Sequence, residues 1–157
     1  MPDLVLKRLL AHYGLSPETD VSLENTSSPV EAMQMLLTGK VDAVLAPQPP
    51  VSAAIMLGKA AGNNISRTID VQKLWGEVTG KAPILPQAGL VLTDKLLAEH
   101  PDLADHLQRA LEAASQRVNA GPAKAASIAA QSLDFPEPVL AASIATSRLT
   151  ATRASKA

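Results

Sequence analysis

The sequence predicts an α/β fold in which a parallel sheet with its helices is followed by a helical segment. Two observations predict it. Three helix–strand units follow one another in the first half of the chain, an alternation typical of parallel sheets. After residue 93 the remaining segments all have helical spacing, and none of them has the pattern of a strand. The predicted strands are residues 20–24, 41–46, 65–71 and 89–92.

The composition argues against several classes of function. A chain of 157 residues is long enough for one domain or for parts of two. A formal net charge of −1 argues against nucleic acid or an anionic membrane as a partner. Aromatic residues are 2% of the chain, which leaves almost no stacking platform, and the absence of cysteine excludes disulfides and thiolate metal sites.

The first half opens with a helix over residues 2–13, whose leucines form an apolar stripe. After the first strand and a polar loop, Ser28, Pro29 and Glu31 fit a capping box that starts the second helix. Ser28 is the N-cap, Pro29 takes the first helical position, and Glu31 is expected to reach back. This helix should end at Gly39.

The same alternation continues to about residue 80. The next elements are the strand at 41–46, a helix from about residue 49 to residue 62, the strand at 65–71 and a short helix at 72–78. Residues 80–87 contain Pro83 and Pro86, so they form a connector and not the interior of an element.

The second half has one strand and then helices. Residues 89–92 are an apolar strand, and the helices are expected at 93–100, from 101 to the Gly121–Pro122 break, from there to about 133, and from 136 onward. The chain from about residue 146 carries Arg148, Arg153 and Lys156 without an acidic residue, and we expect it to be disordered.

This asymmetry has two interpretations. A strand as apolar as residues 90–92 needs neighbours, yet no later segment offers a partner strand. Either the strand joins the first sheet, or it belongs to a sheet that this chain does not contain. We expect a domain division into residues 1–85 and 86–157.

Several motifs resemble one family of proteins. The segments are Pro2–Leu10, Gly39–Ala43, Gly89–Thr93 and Glu99–Leu103. Their order and spacing resemble the solute-binding proteins of ABC transporters, in the group that binds nitrate, sulfonates, taurine or thiamine precursors. The resemblance covers roughly residues 2–132.

The resemblance implies a type II periplasmic-binding-protein fold, of which this chain would be an incomplete segment. Residues 1–85 would be the α/β second lobe, and residues 86–157 the return strand and C-terminal helices of the first lobe. It also implies binding of a small solute, with anions among the candidates, in a cleft between the lobes. The protein would deliver this solute to ABC permease subunits in the membrane.

The resemblance further implies a periplasmic or extracellular, lipoprotein-like location, although residues 1–4 lack the pattern of a signal peptide. No segment is apolar enough to insert into a membrane. We expect no cofactor, no metal site and no catalytic residues, because the three histidines lack metal-ligand spacing and no nucleophile motif is present.

Five polar residues are candidates for contact with the solute. Thr26, Ser27 and Ser28 follow a predicted strand and precede a helix, where backbone N–H groups favour anions. Gln48 follows the next strand, and Gln87 lies at the proposed crossover between lobes. The simpler explanation for Ser28 is ordinary helix capping, which needs no ligand.

Two other functions remain open. The chain could be the effector-binding domain of a transcription regulator, which would place a helix-turn-helix before Met1. It could also be an enzyme on the same scaffold, but the cysteine-rich motif of the pyrimidine-forming members is absent.

Overall fold

The computed structural model describes residues 2–147 and 149–153. Helices joined by irregular segments make up this part of the chain, and no strand is present in it. In chain order the helices are α1 (Pro2–His12), α2 (Pro29–Leu37), α3 (Pro50–Ala60), α4 (Val71–Thr79), α5 (Asp94–Glu99), α6 (Leu103–Ala120), α7 (Pro122–Ala129) and α8 (Glu137–Thr146).

The predicted α/β fold with a parallel sheet is therefore wrong. The four predicted strands lie in irregular segments, apart from Val71, which begins α4. A run of apolar residues becomes a strand only when another segment pairs with its backbone, and no such ladder forms within the described residues. Val91, predicted to lie inside an apolar strand, is 93% exposed. These segments connect helices instead of building a sheet.

The predicted helices are confirmed, with ends that differ by a few residues. Ser28 has extended backbone angles (φ −150°, ψ 154°), and Pro29 is the first helical residue of α2. Gly39 follows this helix with φ of 70°, a left-handed conformation that glycine adopts without strain. The residues that start and end a helix bind backbone groups within one turn of themselves, so the local sequence is enough to predict the helix ends.

The chain forms two compact units, one ending at Gln87 and the other beginning at Ala88. In the first unit α1 packs on α4 and α2 packs on α3. Ala32 and Met33 of α2 and Ala54 of α3 are buried, and so is Leu9 of α1. Two of these four side chains are alanines, so this core contains few large apolar groups.

Gly58 shows how close this packing is. It is buried in α3, and a Cβ atom added there would lie 2.9 Å from Cδ1 and 3.3 Å from Cβ of Ile65. The segment after α3 therefore folds back on the helix at the one position without a side chain.

In the second unit α7 packs on α8, and both contact α6. Ala126 of α7 and Val139 and Leu140 of α8 are buried. Ser143 is buried as well, and its hydroxyl donates to the Val139 carbonyl at 2.8 Å. This hydrogen bond lets a polar side chain lie in an apolar interface without an unsatisfied group.

The chain leaves much of its surface uncovered. It exposes 11530 Å², whereas two separate compact units of half its mass would together expose about 9000 Å². Large apolar side chains contribute to this surface in both units, among them Leu4, Ile69 and Ile128. The small cores described above are the cause.

The predicted disordered tail falls in part on residues 148 and 154–157, which lie outside the described residues. Residues 149–153 are described, and they make side-chain contacts with α6.

Gly58→Ala should destabilise the protein by about 1 kcal/mol, because the cost of overpacking against Ile65 exceeds the gain in helix propensity. In an Ile65→Ala background the same substitution should cost less, since the closest atom of Ile65, Cδ1, is removed and only the 3.3 Å approach to Cβ of residue 65 opposes the propensity gain. Urea unfolding of the four proteins measures this difference. An equal loss in both backgrounds would show that Ile65 is not what Gly58 accommodates.

Candidate functional site

The start of α2 carries three of the predicted site residues. The Ser28 hydroxyl accepts a hydrogen bond from the Glu31 N–H at 3.1 Å, as an N-cap residue does. The Thr26 hydroxyl, which is half-buried, donates to the Ser28 carbonyl at 3.1 Å. These two bonds hold the loop in one conformation before the helix begins.

The carboxylate of Glu31 lies beside the same loop. Its Oε2 atom accepts from the Ser27 N–H at 2.9 Å and from the Ser27 hydroxyl at 2.7 Å. The predicted backward reach of Glu31 is confirmed, although its partner is Ser27 and not the N-cap. The hydrogen bonds from the Ser27 hydroxyl and from the Ser27 N–H lower the pKa of Glu31, because both stabilise the ionised form.

The donors at the start of α2 therefore already hold an anion, and that anion is part of the chain. A carboxylate near a helix N-terminus is favoured by the helix dipole as well as by its hydrogen bonds. Any external anion that uses Ser27 has to replace the carboxylate of Glu31. Sequence reasoning placed Glu31 only in the capping box, and its position three residues after Ser28 was the pattern that could have assigned it to the site.

Gln48 takes part in the start of α3. The helix begins at Pro50, directly after Pro49, and neither proline has an N–H group to be capped. The side-chain Oε1 atom of Gln48 accepts from the Ser52 N–H at 3.1 Å. Gln48 is half-buried and Ser52 is buried, so this bond satisfies a backbone donor that water reaches poorly.

The five predicted residues occupy three local settings. Thr26, Ser27 and Ser28 form one loop, Gln48 caps a different helix, and Gln87 is exposed in the irregular segment between α4 and α5. Helices α2 and α3 pack on each other, which gives the first two settings a common support. A role in ligand binding remains a prediction for all five residues.

Two shallow surface depressions lie in the first unit. Residues 17–23 line one of them, and the other lies between Tyr13, which follows α1, and the segment from Thr68 into α4. Neither is lined by a predicted site residue. No group of three His, Asp or Glu side chains that could hold a metal ion occurs in the described part of the chain.

Comparison with known proteins gives one match. The model of the NMT1-like family matches residues 1–133, which is most of the chain. Neither a curated protein nor a solved structure matches the sequence.

The lowered pKa of Glu31 predicts a pH-dependent contribution to stability. In the unfolded chain this carboxyl has its ordinary pKa, so ionised Glu31 stabilises the fold fully above that value and the contribution is lost as the pH falls through the lowered pKa. The difference in stability between wild type and Glu31→Gln should therefore be constant near neutral pH and shrink in acid. Urea unfolding between about pH 3 and pH 7 measures it.

Ser27→Ala is the matched control for this prediction. It removes the largest cause of the shift and should raise the pKa of Glu31 toward its ordinary value, as followed by the ¹³C resonance of the carboxyl. A wild-type Glu31 that titrates at the ordinary glutamate pKa would contradict the geometry.

Proposed function

We propose, since the chain belongs to the NMT1-like family of periplasmic proteins that bind nitrate, sulfonates or taurine, that it acts as a substrate-binding component of an ABC import system. The single observation that carries this proposal is the family match over residues 1–133. The family consists of binding proteins, and we propose that this chain likewise binds its solute without changing it.

The solute we propose is a small anion that contacts the start of α2. The support is that this loop already holds a carboxylate, with the N–H and hydroxyl groups of Ser27 as donors. An oxyanion such as nitrate or a sulfonate has acceptor oxygens of the same kind. Thr26 and Ser28 would orient the loop, and Ser28 would contact the solute.

Gln48 and Gln87 are the further contacts in this proposal. Gln48 has an amide whose Oε1 is engaged by Ser52, and an amide also carries donors suited to an oxyanion. Gln87 is exposed and carries the same group. Amide donors discriminate less by charge than lysine or arginine, so they suit a singly charged or zwitterionic solute.

Competition from Glu31 sets the affinity in this proposal. The side chain of Glu31 is exposed to solvent, and its carboxylate is hydrogen-bonded to Ser27. An incoming anion therefore exchanges with this carboxylate. The net binding free energy of the solute is then the difference between its own interaction with these donors and that of the Glu31 carboxylate. A solute with a positively charged group would instead be attracted by the carboxylate.

The partners in this proposal are permease subunits in the membrane, and the location is periplasmic or extracellular, as is typical of the family. In the described part of the chain, no helix combines the length and the apolar character needed to cross a membrane.

Binding of nitrate, sulfate and taurine, measured by isothermal titration calorimetry, tests the proposal. Glu31→Gln should bind the anions more tightly than wild type, because a competing charge is removed while the size of the side chain is kept. Gln48→Ala should bind them about fivefold more weakly through loss of one hydrogen bond.

The control for substitution itself is Gln131→Ala. It replaces an exposed glutamine after α7 and should leave the affinity for the three compounds unchanged. Circular dichroism verifies that each variant keeps its helices. Weaker binding by Glu31→Gln would overturn the anionic solute in favour of a cationic one. Absence of heat with all three compounds would overturn the proposed solute class.

A further inference from the structure

The second unit contains a feature that solute binding does not explain. Residues 149–153 follow α8 and are not helical, yet they make specific contacts with α6, about 30 to 50 residues earlier in the chain. Contacts of this separation order a segment that its own sequence does not order.

The first contact is a pair of hydrogen bonds at Asn119. Its Nδ2 atom donates to the Leu149 carbonyl at 2.7 Å, and its Oδ1 atom accepts from the Leu149 N–H at 3.1 Å. The side-chain amide thus pairs with both polar backbone groups of one residue, as a neighbouring strand would. Asn119 is half-buried near the end of α6.

The second contact is an ion pair at the other end of the helix. A guanidinium nitrogen of Arg153 lies 2.7 Å from Oδ1 of Asp105, which is in the first turn of α6. Both side chains are largely exposed, at 70% for Arg153 and 50% for Asp105. An exposed pair of this kind weakens when salt screens its charges.

The positions of the two contacts fix the course of the segment. Asp105 and Asn119 are 14 residues apart, which is almost four helical turns, so they lie on one side of α6 about 21 Å apart along its axis. Residues 149 and 153 span at most about 13 Å when extended, and the long Arg153 side chain supplies the remaining reach. The segment therefore runs antiparallel to α6.

Opposite charge favours this position for the end of the segment. Arg153 is the one charged residue within residues 149–153, and the same side of α6 carries Asp105 and Glu112 together with Arg109. Glu112 also accepts from the Gln108 amide at 2.6 Å, which holds its carboxylate along the helix axis.

We propose that residues 149–153 form a strap on α6 with two anchors of different chemistry. Salt releases the Arg153 anchor, and the Asn119 anchor keeps the Leu149 end in place. The strap therefore opens from its Arg153 end, and its state follows ionic strength. The occupant of this side of α6 is the chain's own segment.

Nuclear magnetic resonance of the full chain tests the strap with one readout for each anchor. Amide exchange at Leu149 should slow at least about tenfold relative to an unprotected amide, and Asn119→Ala should abolish this protection. The heteronuclear NOE of the Arg153 amide should fall in Asp105→Asn at low salt. Wild type in 1 M salt should show the same fall while Leu149 stays protected.

Two further variants keep the result interpretable. Asn119→Asp retains the acceptor for the Leu149 N–H and loses the donor, so it should give intermediate protection even where Asn119→Ala perturbs folding. Gln131→Ala should change neither readout.

An unprotected Leu149 amide in wild type would overturn the strap. Protection that survives Asn119→Ala would overturn the role of Asn119. An Arg153 NOE that responds neither to Asp105→Asn nor to salt would overturn the electrostatic anchor.

Discussion

The small size of the buried core is the constraint on which both units depend. Alanines are part of it in each unit, with Ala32 and Ala54 buried in the first and Ala126 in the second. Stabilisation by burial scales with the apolar area removed from water, and an alanine contributes about one methyl group. Apolar residues are 46% of the sequence, so the shortage lies in how many of them are covered and not in how many exist.

A small core gives the helix ends unusual weight. Each N-cap bond is worth about 1 kcal/mol, which is a substantial part of the stability of a domain with little buried area. Ser28, Asp70 and Thr93 cap α2, α4 and α5 with side-chain oxygens. At α2 the cap and the candidate binding site are the same residues, so in the proposed function the affinity for a solute and the stability of the helix depend on one set of donors.

The helices could be predicted from the sequence because their determinants are local. Pro29 and Ser28 start α2 within four residues, and Gly39 ends it. The strands could not, since a strand exists only in a pair and the pairing partner is not encoded in the segment itself. Residues 41–46 have the expected apolar pattern and still form no strand.

The candidate site shows the same distinction between features set by the local sequence and features set by the fold. Capping by Ser28 and the backward reach of Glu31 were predictable from spacing, but the choice of Ser27 as the partner of Glu31 depends on how the loop folds. The cap supplied by Gln48 to α3 was missed, because glutamine is not among the usual N-cap residues and the bond reaches over two prolines.

Because the described residues form no sheet, amide and carboxylate side chains are the hydrogen-bond partners of several backbone groups. Backbone N–H and C=O groups outside helices need partners from somewhere, and a sheet would have supplied them. Here Glu31 accepts from the Ser27 N–H, and Asn119 pairs with both backbone groups of Leu149. Side chains can be exchanged for a ligand or for water more readily than a strand ladder can. The solute binding and the salt response that we propose both act on side chains that take the place of strands in this way.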